Sequence, residues 1–95
     1  MKTYSHKNRS PELEKLLDKG DCLYDQSEYQ EAISYYDKVL GMDPNDVYAL
    51  QSKGLALKNL GRYEEAISYY DKVLKIDPND TGALNNKGVA LDDLG

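Results

Sequence analysis

Tryptophan and phenylalanine are absent from this chain, and cysteine and histidine occur once each. One cysteine, Cys22, leaves no partner for an internal disulfide. It follows Asp21 and has no basic neighbour to activate it, so we expect a half-buried structural thiol and not a nucleophile. His6 stands alone near the N-terminus, which leaves a histidine-based triad or a zinc site without a second member. Positive charge is in deficit: 12 Lys and Arg against 17 Asp and Glu give a formal net charge of −5. That balance argues against non-specific binding to nucleic acid or anionic lipid, both of which need basic surface. No apolar run approaches the ~18 residues of a membrane span, and no signal-peptide core opens the chain. The expectation is a soluble cytoplasmic protein that needs no membrane, nucleic acid, metal or cofactor.

What the chain does have is a repeat. The ten residues EAISYYDKVL at 31–40 return unchanged at 65–74, an offset of 34. The same offset carries Asp43-Pro44-Asn45-Asp46 onto Asp77-Pro78-Asn79-Asp80, and Tyr29 onto Tyr63. Gly20, Gly54 and Gly88 keep step with it, as do Leu16, Leu50 and Leu84. A fixed period in this range marks a solenoid, in which each unit buries its apolar face on its neighbours. Such a chain offers a surface and not a catalytic pocket. Nine tyrosines supply all the aromatic bulk. Each ring fills space while its hydroxyl wants water or a partner, which suits a thin protein whose core is never far from solvent. At 95 residues the chain fits one small domain.

Residues 1–9 lack apolar periodicity and carry Lys2, His6, Lys7 and Arg9, which reads as a flexible basic tail. Ser10-Pro11-Glu12 then opens a helix, with a hydroxyl cap, proline in the first turn and an acid near the positive end of the dipole. That helix runs to about Asp25, with Leu13, Leu16, Leu17, Leu23 and Tyr24 as its apolar stripe. A second helix runs from about Glu28 to Leu40, with Tyr29, Ala32, Ile33, Tyr36 and Leu40 on one face and Tyr35 and Val39 on another. Gly41 is placed to close it in the left-handed conformation, and Pro44 prevents its continuation. Asn45 or Asp46 caps a third helix ending near Asn59, and Gly61 breaks it. A fourth covers 62–75, and Pro78 stops it. A fifth follows the Asn79-Asp80 cap to Leu94. Five helices with short turns predict an all-α fold of antiparallel neighbours.

The recurring pattern is Leu16, Lys19, Gly20 and Leu23, then Ala32, Tyr36 and Pro44. It returns as Leu50, Lys53, Gly54, Leu57, Ala66, Tyr70 and Pro78, and Leu84, Lys87, Gly88 and Leu91 begin it again. This resembles the tetratricopeptide repeat, a 34-residue helix–turn–helix. The wording NKGVAL and GRYEEAI is most similar to archaeal members. The resemblance implies a right-handed superhelical solenoid of about two and a half repeats, at 13–46, 47–80 and 81–95. In it the glycines and alanines let paired helices approach while Tyr36 and Tyr70 fill the space between repeats. Lys19, Lys53 and Lys87 stand where the family has an apolar residue; a lysine stem covers apolar surface while its ammonium reaches water.

The resemblance also implies a groove lined by the first helix of each pair. These are the helices that differ between repeats: Glu14 against Tyr48, Leu17 against Gln51, Asp18 against Ser52, Asp21 against Leu55, Tyr24 against Lys58, Asp25 against Asn59. Drift on a solvated face and tuning for a ligand both fit that divergence. The implied groove adds Asn85, Asn86, Val89, Asp92 and Asp93 from the last helix. Family members that clamp a chaperone's terminal carboxylates use cations, but the matching positions here hold Leu17, Asp21, Ser52, Gly82 and Asn86. A carboxylate clamp is therefore not expected.

No constellation supports catalysis. Asp43-Pro44-Asn45-Asp46 lacks the central glycine and final glutamate of a calcium loop. Asp92 and Asp93 adjoin on one helix and point to different sides, a poor acid–base pair. The expected function is a non-enzymatic scaffold that binds a protein or peptide with basic and apolar residues. A self-assembling scaffold is the alternative. An RNA-binding helical repeat is disfavoured, since its groove would have to be basic. Because the last repeat is only half present, Ala83, Ala90 and Leu94 are expected to form an exposed apolar strip through which two copies associate.

Overall fold

The computed structural model describes residues 10–95; the expected basic tail at 1–9 lies outside the described residues. Five helices follow in order: α1 (Pro11–Asp25), α2 (Tyr29–Met42), α3 (Val47–Asn59), α4 (Tyr63–Ile76) and α5 (Thr81–Leu94). Each packs mainly on its neighbours in sequence, giving an all-α solenoid about 40 × 29 × 23 Å.

The odd-numbered helices begin on side-chain caps. The Ser10 hydroxyl accepts from the Leu13 N–H at 3.2 Å, Asp46 from Ala49 at 3.0 Å and Asp80 from Ala83 at 2.9 Å. In the Asp-Pro-Asn-Asp segments the first aspartate forms an Asx turn, accepting from the Asn45 or Asn79 N–H, and the last aspartate is the cap. The even-numbered helices begin differently, on the turn that ends the helix before them. There Glu28 N–H donates to Leu23 C=O at 2.8 Å, and Arg62 N–H to Leu57 C=O at 2.9 Å, the six-to-one bond of a Schellman turn. Such a turn needs one left-handed residue. Gly61 supplies it at φ 81°, and Ser27, its counterpart one period earlier, adopts φ 63° in spite of its Cβ.

Gly41 does not close α2. The helix runs through it to Met42, and Asp43 N–H caps it by donating to Val39 C=O at 2.8 Å. One period later the same place is held by Lys75, so nothing there demands a left-handed residue. Val39, expected on a side strip, lies in the core with Ala32 and Tyr36, while Tyr35 is half-buried under Lys38. Cys22 is exposed and not half-buried.

Two apolar clusters run into one another along the solenoid. One holds Leu13, Leu17, Ala32, Tyr36, Val39 and Ala49. The other is built on Leu50, Leu57, Ala66, Tyr70 and Val73, with Ala83 and Ala90 from α5. Tyr36 and Tyr70 each lie across a glycine on the preceding helix, Gly20 and Gly54, and so pack within their own helix pair. Ion pairs tie each pair of helices to the next. Lys53 pairs with Asp37, and one period later Lys87 pairs with Asp71 at 2.7 Å. Sequence reasoning sent these ammonium groups to water; instead they meet a carboxylate of the preceding helix. Burial opposes the charge on Lys53, but the bond to Asp37 and its neighbour Tyr69 prevail and raise its pKa.

Ala83 and Ala90 are fully buried, which corrects the expected end strip. They occupy the places of Ala49 and Ala56 one period earlier, both also fully buried, so this side of the helix faces inward. The exposed apolar residues of α5 are Leu84, Val89, Leu91 and Leu94.

Candidate functional site

The face made by α1 and α3 carries a half-open hollow of about 270 Å³. From α1 come Asp21, Tyr24 and Asp25, from α3 Tyr48, Ser52 and Leu55, and from behind them Tyr36 of α2. None of these is basic. Asp21 is the centre of the arrangement. Its two carboxylate oxygens accept separately, from the Tyr36 hydroxyl and the Tyr48 hydroxyl, each at 2.6 Å. One carboxylate thus joins three helices. Bonds to an ionised acceptor are among the stronger hydrogen bonds in proteins. Burial first, then the bond and charge of Asp21, push the Tyr36 hydroxyl far above the usual tyrosine range.

Tyr24 forms another wall. Its ring meets Tyr29 edge-on at 5.2 Å, an arrangement aromatic pairs favour. Its oxygen accepts from the Asn59 amide at 2.9 Å, and that amide also donates to Leu55 C=O within α3 at 2.9 Å. Burial raises the Tyr24 pKa against the opposing pull of Asn59. These bonds hold α1 and α3 side by side with ring faces and carboxylates between them.

The second repeat lacks this arrangement although its inner tyrosine is kept. Where the first has Asp21 and Tyr48, the second has Leu55 and Gly82. The Tyr70 hydroxyl is consequently buried without a hydrogen-bond partner among the described residues, and burial pushes it up to about 12. Gln51 instead links α3 to α5, donating to both Asp80 oxygens at 3.2 and 3.1 Å.

Of the seventeen residues implied for the groove, the structure gathers Asp21, Tyr24, Asp25, Tyr48, Ser52 and Leu55 around the hollow. Asn59 supports it from α3. Glu14, Asp18, Gln51 and Lys58 belong to the same two helices but do not line it, and Asn85, Asn86, Val89, Asp92 and Asp93 lie on α5. Leu17 is 2 % exposed and belongs to the core, beneath the face it was expected to line. Tyr36 was missed as a site residue because its ring reads as filler. The signal was nevertheless present: a tyrosine kept in both repeats, opposite residues that change from polar to apolar. Among the described residues no three His, Cys, Asp or Glu side chains come together to hold a metal, and no helix is long and apolar enough to cross a membrane.

Stacked helix pairs with the polar variation on one face define a helical-repeat protein. The sequence matches the tetratricopeptide repeat over residues 17–81 and again over 52–95. The chain belongs to the tetratricopeptide-repeat family. Members are generally non-catalytic interaction modules. Among solved structures, the Sgt2 tetratricopeptide domain from Aspergillus fumigatus superposes with TM-score 0.85 at 27 % identity, covering 90 % of this chain and 56 % of that one. MamA from Desulfovibrio magneticus RS-1 gives 0.86 at 29 % identity, covering 90 % and 48 %. The first tetratricopeptide domain of Spaghetti (RPAP3), bound to the HSP90 peptide SRMEEVD, gives 0.82 at 26 % identity, covering 86 % and 65 %. The chain thus spans about half to two thirds of the length of these structures. No curated protein matches it in sequence.

Proposed function

We propose that the chain is a protein-binding module whose α1–α3–α5 face takes a peptide segment carrying Lys or Arg beside apolar anchors. The observation that carries this reading is the hollow at Asp21 and Asp25, lined by carboxylates, tyrosine rings and Leu55, with no cation. A solved relative holding a peptide supports peptide uptake by this fold. The charge preference here is the reverse of what the acidic end of that peptide asks for. Of the clamp positions, Leu17 is buried, Asp21 is an acid, and Ser52, Gly82 and Asn86 are uncharged. The same lack of cations in the hollow weighs against RNA, whose phosphates would be repelled. Labelled peptides of matched length, one basic and apolar, one acidic and apolar, should separate in an anisotropy titration at low salt. The basic peptide is expected to bind about tenfold tighter or more, roughly 1.4 kcal/mol, and to weaken as salt screens the contact. Equal affinities would refute the charge preference.

Self-association is a second reading, and the outer side of α5 favours it. Leu84, Leu91 and Leu94 are about half exposed there, and among the described residues no other helix comes within 4 Å of a Cβ built on Gly88. Light scattering should show mass rising with concentration, and Leu94→Glu should reduce that rise without loss of helix. A monomer at every concentration would dismiss this reading.

A further inference from the structure

We propose that the hollow between α1 and α3 is a receptor for a single arginine side chain of the partner. This rests on the peptide-binding reading above and names the residue that this part of the face selects. Size sets the first limit. At about 270 Å³ the hollow falls just below the roughly 300–1,000 Å³ typical of small-molecule pockets. With each water taking about 30 Å³ of liquid, it is far larger than a bare ion needs. It has room for one long side chain.

The hydrogen-bonding inventory sets the second limit. Tyr36 and Tyr48 have committed their only hydroxyl protons to Asp21, so neither has a hydroxyl proton left to donate to a ligand. Asp21 has accepted two bonds and a carboxylate has about four lone-pair sites, so it can accept more. Asp25 adds a second carboxylate at the exposed rim. The hollow is therefore rich in acceptors: the Ser52 hydroxyl is turned to the Tyr36 oxygen, and the Tyr24 hydroxyl is the donor left among the lining side chains. A carboxylate or phosphate would find repulsion, and a neutral amide would leave the negative charge unanswered. A planar cation with several donors answers both.

Arginine fits this inventory better than lysine. Its guanidinium carries five donors in a fixed plane, stacks on aromatic faces and is more weakly hydrated than an ammonium, so it loses less on leaving water. The ring of Tyr24 offers such a face, and Leu55 offers an apolar wall for the methylene stem. The site is also held in place before any ligand arrives. Asp21 is fixed by two tyrosines and Tyr24 by Asn59 and Tyr29, so little ordering remains to be done on binding. The second repeat cannot form the same receptor, because Leu55 and Gly82 replace the acid and the tyrosine.

The test uses the described protein, isotopically labelled, and titrates Nα-acetyl-arginine amide while amide shifts are followed by NMR. Nα-acetyl-citrulline amide, the uncharged near-isostere, and Nα-acetyl-lysine amide serve as comparisons. Saturating shifts are expected at Tyr24, Tyr48, Ser52 and Leu55 with arginine, weaker ones with lysine, and none that saturate with citrulline. Asp25→Asn, at an exposed position, should weaken arginine binding about three- to tenfold, whereas Glu64→Gln, at an exposed position on α4, should not change it. Equal responses to arginine and citrulline, or indifference to Asp25→Asn, would overturn the receptor, and lysine matching arginine would overturn its selectivity. The two proposals fail separately. A basic peptide that binds elsewhere on the face, without shifts at the hollow, removes the arginine receptor and leaves peptide binding standing. Arginine amide that binds the hollow while no basic peptide does supports the receptor and removes the wider reading.

Discussion

Gly54→Leu is expected to lower the melting temperature far more than Lys58→Ala, although the two positions lie four residues apart on one helix. A Cβ on Gly54 would fall 2.6 Å from Cε1 of Tyr70 and 3.1 Å from Cδ1 and Cζ. Tyr70 is fully buried and has no room to retreat. Forcing a branched side chain into that contact costs roughly 1–3 kcal/mol or more, and for a domain of this size each kcal/mol moves the midpoint by about 4–8 °C. Lys58→Ala removes a partly exposed stem, and changes outside the core usually stay within about 0.5 kcal/mol. Gly20 stands in the same relation to Tyr36, at 2.6 Å, so it should be equally intolerant. Gly88 provides the internal control. It keeps the period but faces no atom within 4 Å, so Gly88→Ala should be neutral or stabilise by up to about 1 kcal/mol through helix propensity. Thermal melts followed by circular dichroism decide the matter. Similar shifts at 54, 58 and 88 would mean that α3 and α4 do not pack as described.

The second large effect is an asymmetry between two tyrosines in identical local sequence. Tyr36→Phe should destabilise, because it removes a 2.6 Å bond to the Asp21 carboxylate; hydrogen bonds to charged groups are worth about 1.5–3 kcal/mol. Tyr70→Phe should be neutral or stabilising. Its hydroxyl is buried with no partner among the described residues, a condition that costs about 1–3 kcal/mol, and phenylalanine abolishes it without leaving a cavity in the ring's place. Urea unfolding of both variants measures the difference directly. Equal losses at 36 and 70 would show that a bound water or a shifted neighbour satisfies Tyr70, and that the two repeats are energetically alike.

Much of the fold was legible in the sequence because its determinants are local. Caps at Ser10, Asp46 and Asp80, the left-handed Gly61 and the stops at Pro44 and Pro78 act within a few residues, and the 34-residue period multiplies each signal. The errors have the same origin. Gly41 carries the residue type of a helix stop, but its counterpart Lys75 shows that the backbone there is ordinary helix. The strip of Ala83 and Ala90 is expected outside because the last repeat is only half present, but a missing neighbour does not say which side of α5 it would have covered. Comparison with Ala49 and Ala56 would have placed it inward. The site was less legible than the fold. Asp21 joins Tyr36 and Tyr48 across sequence separations of 15 and 27, so no window of one helix contains it. A resemblance to a family points to a face, and geometry alone shows which of its residues meet.

Amide chemical-shift mapping of a basic, apolar peptide on the folded chain tests peptide binding by the odd-numbered helices most directly. The expected shifts gather on α1 and α3, at Asp21, Tyr24, Asp25, Tyr48, Ser52 and Leu55, and fade as salt is added. Shifts confined to the exposed sides of α2 and α4, around Ser34, Lys38, Ser68 and Lys72, would contradict it.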